Sequence, residues 1–260
     1  MIADLVKPFT SHRFLLEQLT QREIKARYKQ SFVGYAWVLL NPLSQLLVYS
    51  FVFSVVFRFP TANIPYPIFL FSALLPWTLF QNAISSATQS LVVNASLLKK
   101  IAFPREIIPY SVVFSKLVDF FFSALVFVAF VLIFRVQLAT TSWWIFPILG
   151  AQIILTVGLS LTLAAANLFY RDIQYLANLL LMLWMYMTPI VYPLSMVPTR
   201  YAWLYKLNPM VGIVEGYRSA LFGYPFESTI IVWAALISIL VFLISYRLFK
   251  RAEKVFADIA

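Results

Sequence analysis

Residues 107–134, IIPYSVVFSKLVDFFFSALVFVAFVLIF, carry two charged side chains in a run that is otherwise uncharged and mostly apolar. About 20 apolar residues at 1.5 Å per residue cross a hydrocarbon layer of roughly 30 Å, so this run is long enough to span a bilayer. No water is present at that depth, so each backbone N–H and C=O must be satisfied within the segment, which requires a helix. Comparable runs lie at 32–57, 68–90, 143–169, 176–192 and 228–249. The sequence therefore predicts an all-α integral membrane protein with six transmembrane helices. Its 12% charged residues, against about 25% in soluble domains, and mean hydropathy of +0.85 point the same way.

A net charge of +10 raises nucleic-acid binding as an alternative. The basic residues, however, sit between the apolar runs, which suits inner loops and anionic headgroups and leaves no nucleic-acid partner. Fourteen Lys and Arg fall on one side: Lys7 to Lys29 in the N-terminal arm, Lys99, Lys100 and Arg105, then Arg171, and Arg247 to Lys254. Five fall on the other, Arg58, Arg135, Arg200, Lys206 and Arg218, and Lys116 lies inside a span. Both termini are expected in the cytoplasm. The first run lacks a short apolar region with a cleavage site and reads as a retained span. With no cysteine there is no disulfide or sulfur-ligated metal, and the single His12 stands alone.

Between the spans lie four unusual stretches. Residues 11–30 read as an amphipathic helix within a cytoplasmic arm, 1–31. Leu15, Leu16, Leu19 and Ala26 share one sector and Gln18, Arg22, Lys25 and Lys29 another, while Ile24 and Tyr28 break the pattern. It is expected to lie on the membrane surface, with or without a protein partner or substrate headgroup beside it. The loop 91–106 contains LLKKIAFPRE, with Asn94 and Ser96 as candidate caps of a short helix and Pro104 enforcing a turn before span three, plain positive-inside charge with proline punctuation being the alternative. The loop 170–175 frames Arg171 and Asp172 with Tyr170 and Tyr175, a composition suited to docking.

Residues 193–227 are apolar but broken by four prolines and three glycines. They are expected to be re-entrant external gate helices before the last span, with an interfacial loop as the alternative. Glu215 and Arg218, three apart on one helix, are positioned to pair. Within span three, Lys116 and Asp119 have the same spacing and read as a mutually neutralising pair, a proton relay being the alternative. No phosphate-binding GxxxxGK[ST] loop, HExxH or nucleophile elbow is present, so the chain is expected not to be an enzyme.

Four stretches in register resemble the ABC-2 type permeases that export bacterial cell-surface polysaccharides such as O-antigen, teichoic acid and capsule. They are RYKQSFVGYAWVLLNPL (27–43), LLKKIAFPREIIPYS (97–111), NLFYRDIQYL (167–176) and LNPMVGIVEGYRSALFG (207–223). The resemblance implies a permease domain over 32–249, a cytoplasmic tail at 250–260, and location in the bacterial inner membrane. It also implies a homodimer served by two copies of a separate ATPase subunit that binds ATP and Mg, with no cofactor in this chain. Lys99, Lys100, Phe103, Pro104, Arg105 and Glu106 would form a coupling helix and its turn, and Tyr170, Arg171 and Asp172 the second contact with the ATPase. The interface helix, with Arg22, Lys25 and Lys29, would lie beside that subunit.

Pro209, Glu215 and Arg218 would belong to the gate, and Trp37, Tyr49, Trp184 and Tyr186 are candidate channel aromatics. The cargo would be a lipid-linked polysaccharide, O-antigen first, with teichoic acid, capsule or a small amphiphile as alternatives. Charge reversal at Lys99, Lys100 and Arg105 is expected to release the ATPase while leaving insertion intact. A glycan-lipid enzyme is disfavoured because Glu106, Asp119 and Asp172 lie in different elements. An autonomous channel remains a further alternative, separable by whether an ATPase co-purifies.

Overall fold

The computed structural model describes residues 7–28, 34–56, 64–100 and 103–256. These form helices and turns, with no strand among them. Helix α1 (Arg13–Tyr28) precedes α2 (Trp37–Ser50), which continues as a π-helical segment to Val56. There follow α3 (Tyr66–Val93), the short α4 (Ala95–Lys100) and α5 (Ile107–Ile133). A 3-10 turn at Thr140–Trp144 leads into α6 (Ile145–Phe169), and α7 (Ile173–Tyr186) comes next. Two shorter helices, α8 (Ala202–Leu207) and α9 (Pro209–Phe222), precede α10 (Ser228–Ala252).

Four helices are long and apolar enough to cross a membrane: Tyr66–Val93, Ile107–Ile133, Thr140–Phe169 and Ser228–Val255. The other two expected spans correspond to shorter apolar helices, Leu39–Phe53 and Ile173–Tyr186. Helix α7 ends well before the expected 192. Pro189 lacks a backbone N–H and disfavours helical geometry at Thr188, so the chain turns there. Of the expected first span, residues 32, 33 and 57 lie outside the described residues, as does Arg58.

Helix α3 is the axis of the molecule. It is largely buried, mostly by apolar side chains, and packs against α2, α5, α6, α7 and α9. Phe71, Trp77 and Phe80 on it are fully buried. Lipid tails are as apolar as leucine, so close packing and interhelical hydrogen bonds hold such helices together. Both devices are present. Gln152 on α6, fully buried, donates from Nε2 to the Pro76 carbonyl of α3 at 2.7 Å. Where α6 meets α10, a Cβ at Gly158 would lie 2.8 Å from the Phe242 Cα, so only glycine permits that backbone approach. Helices α5 and α10 turn Phe121, Leu125, Leu132, Val232, Trp233 and Leu240 outward, as lipid-facing surfaces require.

Helix α1 lies against α5, its Leu16 and Leu19 buried with Leu98 and Ile107. Just before it, the Phe9 ring stacks on Tyr110 at 5.7 Å. The expected apolar sector is thus half realised: Leu16 and Leu19 are buried, whereas Ala26 is exposed. Asn94 has a different role from the expected cap. Its carbonyl accepts from the Leu97 and Leu98 amides and so begins α4. Its side chain instead closes α3, donating to the Ser90 carbonyl at 2.8 Å and accepting from Arg22. Ser96 lies inside α4.

Candidate functional site

The candidate coupling residues divide into two groups that face opposite ways. Lys99 and Lys100 close α4 and are exposed, while Leu98 beside them is buried and anchors the helix. Phe103 and Pro104 are half-buried in the turn. Arg105 and Glu106 face their own chain: the Arg105 amide donates to Glu253 Oε1 at 2.9 Å, and Lys250 Nζ donates to Glu106 Oε2 at 2.8 Å. Lys250 also pairs with Glu253 at 2.9 Å, so four charges tie the loop to the end of α10. Glu106 is 1% exposed. Burial pushes its carboxyl above the usual range, and the Lys250 ammonium partly offsets this.

The second loop meets the same end of α10. Tyr170, Arg171 and Asp172 are exposed, Tyr170 at 73%. The loop is shaped by buried Asn167, whose Oδ1 accepts from the Gln174 amide at 3.1 Å and so caps α7 from outside the helix. Asp172, at the cap position itself, makes no such bond. Phe169 meets Phe256 edge-on at 6.1 Å, and Phe256, fully buried, also packs on Phe249 and lies 6.0 Å beneath the Arg105 guanidinium. Both loops thus converge on a C-terminal element. Composition marks Lys250 only as one more basic residue, and nothing local marks Glu253 or Phe256.

On α1, Arg22 reaches Asn94 and Glu23, and Lys25 is exposed. Lys29 lies outside the described residues. Arg27, which the amphipathic pattern does not single out, ion-pairs with Asp119 and donates to Ser115 on α5. The Lys116–Asp119 pair expected from spacing is therefore displaced by a cation from another helix.

At the opposite end, α9 is buried along almost its whole length against α3, α6 and α10. Pro209 occupies its first turn and Asn208 caps it, accepting from the Met210 amide at 3.0 Å. A Cβ at Gly212 would lie 2.6 Å from the Ile230 carbonyl and from the Ala234 Cβ, so α9 touches α10 directly. The expected Glu215–Arg218 pair forms at 2.8 Å. Arg218 is 1% exposed and also donates to the carbonyls of Pro189 at 2.6 Å and Ile190 at 2.8 Å, with Phe69 of α3 3.7 Å beneath its guanidinium. One side chain thereby fixes the irregular backbone after α7.

The four candidate channel aromatics are not equivalent. Trp37 and Tyr186 are exposed, Tyr49 is half-buried beside Phe53, and Trp184, also half-buried, is tied to its neighbours. Its Nε1 donates to Asn208 Oδ1 at 2.8 Å and its ring meets Phe80 edge-on at 5.3 Å. Tyr175, Leu179, Met182 and Tyr186 form an open apolar face on α7, and Trp37, Leu40, Leu47 and Phe51 another on α2 and its extension.

Comparison with known proteins identifies the family. The ABC-2 type transporter family matches residues 15–222. An O-antigen export system permease protein RfbA of Klebsiella pneumoniae is 31% identical over 94% of each chain. Its namesake in Myxococcus xanthus is 34% identical over 89% of this chain and 93% of its own. The polysialic acid transport protein KpsM of Escherichia coli is 25% identical over 95% and 96%. From the span of that match and these identities, the chain belongs to the ABC-2 type transporter family of membrane proteins.

Proposed function

We propose that the chain is the permease subunit of an ATP-driven exporter that carries a lipid-linked O-antigen across the bacterial inner membrane. The observation that carries the coupling part is the split in the loop before α5. Lys99 and Lys100 are free to meet a partner, while Arg105 and Glu106 bind the loop to α10. A push on α4 is then delivered to α5 and α10 together, since a packed, ion-paired joint transmits displacement. The cargo part rests on the two RfbA relatives. The KpsM likeness, at lower identity, supports capsule polysaccharide as the second reading.

In this reading α2 and α7 are the first and fifth of six spans and both termini are cytoplasmic. The open faces of α2 and α7 meet those of a second copy across a twofold axis, enclosing a channel to which Trp37 and Tyr186 contribute. Two copies of an ATPase subunit, holding ATP and Mg, dock on α4 and on Tyr170–Asp172. Hydrated hydroxyls cost several kcal/mol each to strip of water unpaired, so the polymer needs such a wet path. The segment 193–227, with α9 held by Arg218, forms the outer gate.

Deletion of the gene in its host, followed by extraction of inner-membrane glycolipids, tests the proposal. Long polymer accumulating on a polyprenyl diphosphate, with its loss from the surface, is the expected result. Accumulation on a glycerophospholipid transfers the assignment to capsule. An unchanged surface with no accumulation refutes polysaccharide export.

A further inference from the structure

A polar cavity of about 520 Å³ opens between α1, α2, α3 and α5, within the range typical of ligand sites. Among the described residues that line it, the charged ones are Arg27, Lys116 and Asp119, an excess of one positive charge. Asp119 is engaged by Arg27, whose guanidinium also reaches Ser115. The Lys116 ammonium has no ion-pair or hydrogen-bond partner among the described residues. Lys116 stands nine residues into α5, about 14 Å along the helix from its basic end at 1.5 Å per residue. Charged side chains within an apolar span are rare and generally face the protein interior or a water-filled cavity, as Lys116 does here. Polar side chains supply much of the remaining lining, Asn41 and Gln45 from α2 with Thr78 and Asn82 from α3, beside the apolar Leu79 and Phe120.

We propose that this cavity binds the phosphate group of an anionic ligand, with Lys116 as its principal charge partner and the Asn41, Gln45 and Asn82 amides as neutral donors. The chemistry favours an anion. The single carboxylate is already neutralised, the surplus charge is positive, and lysine binds phosphate as a point charge. An apolar ligand is excluded because it would strand these polar groups. A phosphate oxygen, in contrast, satisfies both the ammonium and the amides. If the ligand is the diphosphate of a polyprenyl-linked glycan, which rests on the export reading above, the cavity holds its headgroup beside α1 while the polyprenyl chain remains in lipid. A soluble diphosphate has the same chemistry and is the other source.

The test uses the intact transporter, with its ATPase, in phosphatidylcholine nanodiscs. Three probes are titrated separately: a short polyprenyl diphosphate, the corresponding polyprenyl alcohol and inorganic pyrophosphate. In the wild type the diphosphate lipid is expected to bind at least tenfold more tightly than the alcohol. Lys116→Met, which keeps the length of the side chain and suits an apolar setting, is expected to remove that advantage, and Lys116→Arg to retain it within about threefold. Pyrophosphate competing at the same concentration as the lipid identifies a soluble phosphate ligand. Competition only at a hundredfold excess identifies the lipid headgroup.

Equal affinity of wild type and Lys116→Met for the diphosphate lipid overturns the proposal, as does failure of the wild type to distinguish diphosphate from alcohol. The export reading is scored separately, by surface glycan in a deletion strain carrying each variant. If deletion leaves surface glycan intact, export falls and the binding result still decides the site. If deletion abolishes glycan and Lys116→Met restores it fully with unchanged binding, the cavity alone is refuted.

Discussion

Replacing Arg218 with alanine removes the cation that holds α9 to the backbone following α7. The substitution leaves the Pro189 and Ile190 carbonyls without the donors they have at 2.6 and 2.8 Å, and strands the Glu215 carboxylate. Breaking a buried ion pair by removing one partner costs roughly 3–5 kcal/mol. Glu215 retains 23% exposure and regains some hydration when abandoned, so the lower end, about 3 kcal/mol, applies. For a chain of this size 1 kcal/mol corresponds to about 2–4 °C, giving a fall of roughly 6–12 °C in apparent melting temperature. The assay is loss of the monodisperse size-exclusion peak of the detergent-purified transporter after heating. Glu215→Gln, which removes a partly solvated charge and keeps a hydrogen-bond acceptor, is expected to lose less than half as much. An Arg218→Ala protein melting within about 2 °C of wild type would refute the reasoning, because the guanidinium would then contribute no more than a surface pair.

Reversal of Lys99 and Lys100 to glutamate should abolish co-purification of the ATPase without lowering thermal stability, as both side chains are exposed. Arg105→Glu should instead lower stability, since the guanidinium donates to the Glu253 carbonyl and a carboxylate in its place meets only acceptors, and a stable variant would count against the joint with α10. Glu106 contributes a pH dependence of definite sign. Burial raises its folded-state pKa above the ordinary 4.5, so its contribution to stability is full below that value and is lost as pH rises through the folded-state pKa. Wild type minus Glu106→Gln in melting temperature should therefore decline as pH rises from about 4.5, and a flat difference would contradict the assignment. The chain has no cysteine, so a single Leu179→Cys on the open face of α7 reports the twofold contact directly. Oxidative cross-linking to a dimer in membranes is expected, and its absence at Leu179, Met182 and Tyr175 alike would exclude α7 from that contact.

Much of this architecture is visible in the sequence because its causes are local. A mostly apolar run such as 107–134 must be helical in lipid whatever surrounds it, and the structure places α5 there at Ile107–Ile133. Residues three apart on one helix are neighbours by geometry, so the Glu215–Arg218 pair is readable before any packing is known. Prolines at 104 and 209 set a turn and a helix start for reasons confined to their own rings, whereas a span expected to run to 192 misses the stop that Pro189 imposes.

The same local rule fails at Lys116 and Asp119. Spacing makes them neighbours, but it is silent on Arg27, which arrives from α1, 92 positions away in sequence, and takes the carboxylate. The joint between Glu106 and Lys250, 144 positions apart, is invisible for the same reason. The sequence by itself determined that the chain is helical, that it lies in a membrane and where its charged turns fall, because burial in lipid constrains each segment independently. Only the tertiary structure decided which loop cations face outward, which face α10, and which ammonium lines a polar cavity with no ion-pair partner among the described residues. Those outcomes depend on how helices rotate against one another, and that rotation is set by contacts between residues far apart in the chain.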